Sequence, residues 1–282
     1  MSTKKLKRKT SLKPKRTSIE SRIMNLDEMP DYSSTLLYGE SGTGKTALSG
    51  TWPKPMLVLD IAEKGTKTIR KMPGIKGVSI TCWEDFEEMY WSLYDGKSKG
   101  KFKTVSLDQV SQLQDLAIDK VRRDKNMKES EPMSQRLWGQ ASGLMKTWLF
   151  NFRELQSQGV HIVFIAHQRQ SGGGDEAEDN AIEPSIGARL MPSVAGFLNG
   201  AVSIIGNTFI RERYIGKGKD RERKVDYCLR VGPHAVYRSK IRMPPDTPGG
   251  IPDMIVNPTF AKLETVSRGE SLKTKLTVKR KK

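Results

Sequence analysis

Residues 33–50, SSTLLYGESGTGKTALSG, pass from a short apolar run into a glycine-rich turn and then into helix-forming residues. Leu36, Leu37 and Tyr38 read as a buried strand, and Gly39, Gly44, Lys45 and Thr46 have the spacing G-x-x-x-x-G-K-[ST]. Each fixed position has a physical reason. Glycines let consecutive backbone N–H groups turn inward on phosphate oxygens, and the helix that follows adds the positive end of its dipole. The loop formed by Gly39, Glu40, Ser41, Gly42, Thr43, Gly44, Lys45, Thr46 and Ala47 is therefore a candidate cradle for the phosphates of ATP. Lys45 is placed to reach the β- and γ-phosphates, and the Thr46 hydroxyl to ligate Mg²⁺.

Outward from this loop, strand-like and helix-like stretches alternate. Residues 56–60 form a second apolar strand, 66–72 read as helical, and 77–80 read as a third strand. Thr81 and Glu84 have capping-box spacing, ahead of a helix whose apolar face is Trp83, Phe86, Met89, Tyr90 and Leu93. Residues 103–108 read as another strand, followed by a helix with Val110, Leu113, Leu116, Ala117 and Val121 on its apolar face. A longer helix starts near Ser134, with a core-facing stripe running from Leu137, Trp138 and Ala141 to Trp148, Leu149, Phe152 and Leu155; Gly159 stops it. Residues 160–167, VHIVFIAH, are apolar almost throughout, as in a central parallel strand covered on both faces. The pattern predicts an α/β fold with a mainly parallel central sheet and helices on both faces. Residues 168–187 lack periodicity and read as a long mobile loop. Residues 200–245 read as a β-rich extension with a hairpin turn at 216–220. The domain expectation is a basic tail over 1–30, a nucleotide-binding body over 31–265 and a second basic tail over 266–282.

Several side chains at predicted strand ends carry candidate chemistry. Asp108 closes its strand where an acid can assist Mg²⁺, although Asp also caps helices; Asp60 has the same ambiguity. Glu63, just past the second strand, is the candidate base that polarises water, or an ordinary loop glutamate. Gln168 and His167 end the strongest strand, where a polar group can touch a γ-phosphate or simply be solvated. His161, at the start of that strand, reads as structural.

The chain has a net charge of +17, and most of it is local. Residues 1–16 hold eight Lys/Arg and residues 271–282 hold six, with no acid in either, which leaves +3 for everything between. Such ends suit salt-dependent attachment to nucleic acid; solubility or targeting would explain them as well. Two cysteines and three histidines argue against a disulfide framework or a structural zinc site and suit a reducing cytoplasm. No apolar run approaches the ~18 residues of a membrane span.

The ordered set LLYGESGTGKT, MLVLDIAEKG, KTVSLDQVSQLQ, HIVFIAHQRQ and VYRSKIRMP resembles phage-encoded RecA-like P-loop ATPases associated with single-strand annealing and recombination, over about residues 33–260. The resemblance implies a RecA-like core that uses ATP and Mg²⁺ and assembles as a ring or filament on single-stranded DNA, with a phage single-strand binding or annealing protein as a further partner, in the bacterial host cytoplasm. It implies Glu63 as the catalytic base, Asp108 as a metal aid, and Gln168 or His167 as the γ-phosphate contact. Lys240 or Arg242 match by position the cation that reaches a neighbouring subunit. One departure is plain: residues 168–187 hold five acids against one arginine, so DNA contact is expected instead from the tails or from residues 211–224, where seven Lys/Arg face three acids. Two other classes remain: a nucleotide-binding loader with little turnover, and a small-molecule P-loop kinase.

Overall fold

In a computed structural model, β1 (Ser34–Gly39) runs through a ten-stranded sheet with all six residues buried. The structure describes residues 23–25, 32–62, 65–172, 184–216, 221–244, 247 and 250–272, and Tyr32–Lys282 form one compact unit. Glu63, most of both tails, residues 173–183 of the expected loop and the hairpin turn at 217–220 lie outside the described residues.

The elements follow in the order α1 (Lys45–Ser49), β2 (Met56–Ile61), β3 (Ile75–Ile80), α2 (Trp83–Tyr94), β4 (Thr104–Asp108), α3 (Val110–Asp124), α4 (Gln135–Glu154) and β5 (His161–Ser171). Then come β6 (Ser185–Ala188), α5 (Pro192–Ala201), β7 (Ile204–Ile215), β8 (Glu222–Arg230), β9 (Lys240–Ile241), β10 (Met254–Val256) and α6 (Phe260–Ser267). The strand order is β10-β8-β7-β1-β5-β4-β2-β3, with β6 paired to β5 and β9 to β7. From β7 to β3 all pairings in that order are parallel, and β8, β9 and β10 add antiparallel partners. This is the expected RecA-like α/β fold with its β-rich C-terminal extension.

Period-two alternation sorts the core into two layers. Leu36 and Tyr38 of β1 face one side, with Ile162 and Phe164 of β5, and meet Phe86 of α2, Leu113 of α3, Leu149 of α4 and Leu198 of α5. Leu37 faces the other side, with Val163 and Ile165, and meets Leu48 of α1 and Leu263 and Val266 of α6. Each such side chain contributes about 1.5–3 kcal/mol as an upper figure, so helices on both faces are needed to cover β1 and β5. Val266 is buried and Leu272 packs against the same layer, so the body's packing continues past the expected boundary at 265 into the expected second tail.

Several local expectations are corrected. The N-cap of α2 is Cys82, not Thr81, and the acid that reaches back to it is Asp85, not Glu84: its carboxylate accepts from the Thr81 N–H at 2.9 Å, the Thr81 hydroxyl at 2.8 Å and the Cys82 N–H at 3.3 Å. Those bonds, the Thr81 N–H first, hold the Asp85 carboxyl below the usual carboxylate range. Residues 66–72 contain only a 3₁₀ turn at Gly65–Ile69. Trp138, expected in the core, is 43% exposed because the α4 stripe starts to bury only at Ala141. The described ends of the expected 168–187 loop are a hairpin, Gln168↔Ala188 to Ser171↔Ser185. Glycine and serine hide its alternation, while pairing satisfies its backbone groups. Helices α5 and α6 were not expected at all.

Candidate nucleotide site

The carboxyl ends of β1 and β4 flank β5, Gly39 opposite His167 and Asp108 opposite Ile165, while β5 runs on to Ser171. In an open parallel sheet this is where ligands gather. Gly39 ends β1 pressed against β7: a Cβ there would lie 2.3 Å from Thr208 Oγ1 and 2.4 Å from the Thr208 carbonyl. Gly44 takes φ +86°, a left-handed conformation that favours glycine, and opens α1. A Cβ on it would meet the Tyr227 ring at 3.1 Å. The Thr43 hydroxyl is 2.7 Å from that of Thr208 and donates to the Glu40 carbonyl at 2.8 Å, which ties the loop to β7.

Lys45 is 6% exposed, and its ammonium donates to the carbonyls of Gly39 at 3.0 Å and Glu40 at 2.8 Å. Its charge stays inside the loop. The Thr46 hydroxyl donates to Asp108 Oδ2 at 2.7 Å, and Asp108 is 4% exposed. Gln109, not Asp108, stands in the capping position of α3 and makes no side-chain cap bond. Gln109 Oε1 is buried with no hydrogen-bond partner among the described residues, and Gln109 lines the cleft over the loop. The Thr46 hydroxyl and the Asp108 carboxylate are hard oxygens of the kind that fit Mg²⁺, which keeps few protein ligands beside phosphates. No group of three His, Cys, Asp or Glu with metal-binding geometry occurs among the described residues.

Gln168 sits between the loop and β7: its Nε2 donates to Glu40 Oε1 at 3.0 Å, and its Oε1 accepts from Asn207 Nδ2 at 3.0 Å. His167 is half-buried; its backbone N–H donates to the Ser111 hydroxyl at 3.1 Å. Asp60 accepts the Thr66 hydroxyl at 3.1 Å. His161 accepts the Ser33 N–H at 3.2 Å and packs edge-on against Tyr32 and Phe260, a structural setting. Lys240 donates to the Asn199 carbonyl at the end of α5, and burial lowers the pKa of its ammonium. Arg242 is exposed. Burial also pushes the Tyr38 phenol above its ordinary range, and that hydroxyl donates to the Ile186 carbonyl at 3.1 Å.

The cleft measures about 700 Å³, ample for a nucleotide. Beyond the loop it is walled by Thr51, Thr68, Tyr227, Asn257, Pro258 and Thr259. None of these was foreseen from sequence. The one available signal was the polar pair Asn207-Thr208 inside the apolar run of β7.

A phosphate loop at a strand end, backed by an acid on a strand two places away, defines a P-loop nucleotide-binding domain with a RecA-like fold. Residues 32–243 match the AAA domain family, and the chain belongs to it. Nucleotide binding with Mg²⁺ and ATPase chemistry are the general properties of that family. No curated protein matches the sequence. Among solved structures, the flagellar accessory protein FlaH from Methanocaldococcus jannaschii is similar over 79% of this chain and 84% of that one, at 9% identity and a TM-score of 0.36. That likeness is too distant to bear on function. No helix among the described residues is long and apolar enough to cross a membrane.

Proposed function

We propose that this protein hydrolyses ATP and acts on single-stranded DNA in phage recombination, annealing or replication. The observation behind the hydrolytic half is the grouping of Lys45, the Thr46–Asp108 pair and Gln168 around one phosphate loop. In this reading Lys45 neutralises the terminal phosphates, and Gln168 Nε2 faces the γ-phosphate. Thr46 and Asp108 hold Mg²⁺, which when bound offsets phosphate charge. Glu63 is the proposed base that takes a proton from the attacking water.

The DNA half is supported by the two acid-free basic ends of the sequence. A ring or filament of copies is supported by the apolar side chains Ile210, Val225 and Tyr227, exposed on one side of the β7–β8 hairpin beside the Glu212–Arg223 ion pair, with Tyr227 lining the cleft.

The test is steady-state ATP hydrolysis with and without single-stranded DNA, with Lys45→Ala as control. Removing the buried ammonium takes away phosphate charge stabilisation without opening an apolar cavity, so turnover is expected to fall by about 10²-fold or more with the fold retained. Stimulation of the wild type by DNA supports the proposal. A DNA-blind rate passes the protein to the loader or kinase classes, and normal turnover in Lys45→Ala removes the site.

A further inference from the structure

We propose that Asn207 and Arg230 are positioning residues that dictate which end of the Gln168 carboxamide meets the nucleotide; this rests on the ATP reading above. Four side chains form a line. Arg230 Nη1 donates to Asn207 Oδ1 at 3.0 Å, Asn207 Nδ2 donates to Gln168 Oε1 at 3.0 Å, and Gln168 Nε2 donates to Glu40 Oε1 at 3.0 Å. Asn207 is 1% exposed, so its orientation is not averaged by water.

The two ends of a carboxamide have nearly the same shape, and only the partners' hydrogen-bonding capacity decides which end goes where. Arginine has donors and no acceptor. Asn207 must therefore turn its oxygen to Arg230 and its nitrogen to Gln168. The Tyr38 carbonyl, an acceptor 3.5 Å from Asn207 Nδ2, imposes the same sense. Gln168 then has to present Oε1 to Asn207, and its Nε2 is left facing the phosphate loop.

Arg230 is itself pinned. Its guanidinium lies 4.0 Å from the Tyr237 ring centroid and 4.7 Å from that of Phe209. The polarity of one arginine thus passes through two amides to the loop. There the donor meets an anion, the Glu40 carboxylate, and a terminal phosphate is the competing anion of the same kind. Reversed, the amide would aim an oxygen at phosphate oxygens.

The far end of the line reaches the same strand as the near end. Tyr237 bridges Ile186 in β6, whose N–H donates to the Val236 carbonyl at 2.8 Å, while Gln168 pairs with Ala188 of β6. β6 is held from both sides of the relay.

The decisive comparison is Asn207→Asp against Asn207→Ala in the full-length protein. Aspartate keeps the size and the bond to Arg230 but can only accept, so it forces the Gln168 amide to reverse; alanine merely releases it. The readouts are kcat, the Kd of a non-hydrolysable triphosphate analogue, the Kd of ADP, and Tm. Asn207→Asp is expected to lower kcat and triphosphate affinity by about ten- to a hundred-fold, since a hydrogen bond to a charged group is at stake. It should exceed Asn207→Ala in that loss, with ADP affinity unchanged and Tm no lower than that of Asn207→Ala. A purely structural role gives the opposite order, because alanine removes more contacts. Should Asn207→Asp fail to fold, Arg230→Gln carries the test: it can offer either an oxygen or a nitrogen to Asn207 and so releases its orientation without forcing the reversal. A smaller loss, confined to triphosphate affinity with ADP affinity unchanged, is then expected; no change in triphosphate affinity overturns the relay.

Equal or smaller loss in Asn207→Asp than in Asn207→Ala, or a parallel fall in ADP affinity, overturns the relay and leaves hydrolysis standing. A wild type with no turnover, whose preference for triphosphate still drops in Asn207→Asp, sinks hydrolysis and keeps the relay. No nucleotide binding by the wild type ends both.

Discussion

At the scale of single residues, the phosphate loop is shaped as much by what is missing as by what is present. Gly39 stands where β1 meets β7, and a methyl group there would overlap the Thr208 carbonyl at 2.4 Å. That oxygen belongs to the backbone of a buried strand and cannot swing away. Gly39→Ala is therefore expected to destabilise the protein by about 1–3 kcal/mol, read as a lowered Tm, with ATP binding weakened by displacement of the loop; an unchanged melting curve would show that β7 yields. The loop itself was legible in the sequence because its chemistry is local: Lys45 and Thr46 follow Gly44 directly, and their roles depend on spacing alone. Thr208, Tyr227 and Asn257 were not legible. They reach the loop only after the chain has crossed the sheet, and the Thr43–Thr208 contact spans 165 positions. Nothing in the composition around Tyr227 sets it apart from any other strand tyrosine.

Among the elements, those with one dominant period were readable. β5, buried from His161 to Ala166, and α4, with its stripe from Ala141 to Phe152, came from pattern alone. The β5–β6 hairpin did not, because its pairing lies in the backbone and its side chains are mostly small or polar. The β7–β8 hairpin was readable, but its charges were not. Alternation puts Arg211 and Arg213 on one face, and the register sets Asp226 opposite Arg211. Arg213 Nε lies 2.6 Å and Arg211 Nη2 3.3 Å from Asp226 Oδ2, and Asp226 is 1% exposed. Two cations counted as free for DNA thus hold an acid inside the hairpin. The Arg213 hydrogen bond, more than burial opposes it, keeps the Asp226 carboxyl below its usual 3.8. A depressed folded pKa means stability that is present above the unfolded value and lost as pH falls through the folded one. Asp226→Asn should then lower Tm by a few degrees at pH 7, and the gap from wild type should close as pH drops below about 4. A gap that does not narrow at all as pH falls below about 4 would mean the loss comes from packing, not charge.

Across the whole molecule, charge is segregated by position. The body is nearly balanced, while fourteen cations sit in two acid-free ends, eight in residues 1–16 and six in residues 271–282. Pairing inside the hairpin shrinks the body's capacity for phosphate further, since Arg223 bonds Glu212 as Arg213 bonds Asp226. If single-stranded DNA binds, the electrostatic part of its affinity then belongs mainly to the ends. For single strands each neutralised phosphate contributes about 0.7 to the slope of log K against log salt. Should half of those cations touch phosphates, deleting residues 1–16 and 271–282 together would reduce the slope by about 5, with ATP turnover in the absence of DNA unaffected. Fluorescence anisotropy with a labelled oligonucleotide across a salt series measures it. A slope that survives the double deletion would move the DNA contact into the body. There Arg221, stacked 4.4 Å from the Tyr214 ring on the exposed hairpin, offers the cation and aromatic face that a flexible strand can use.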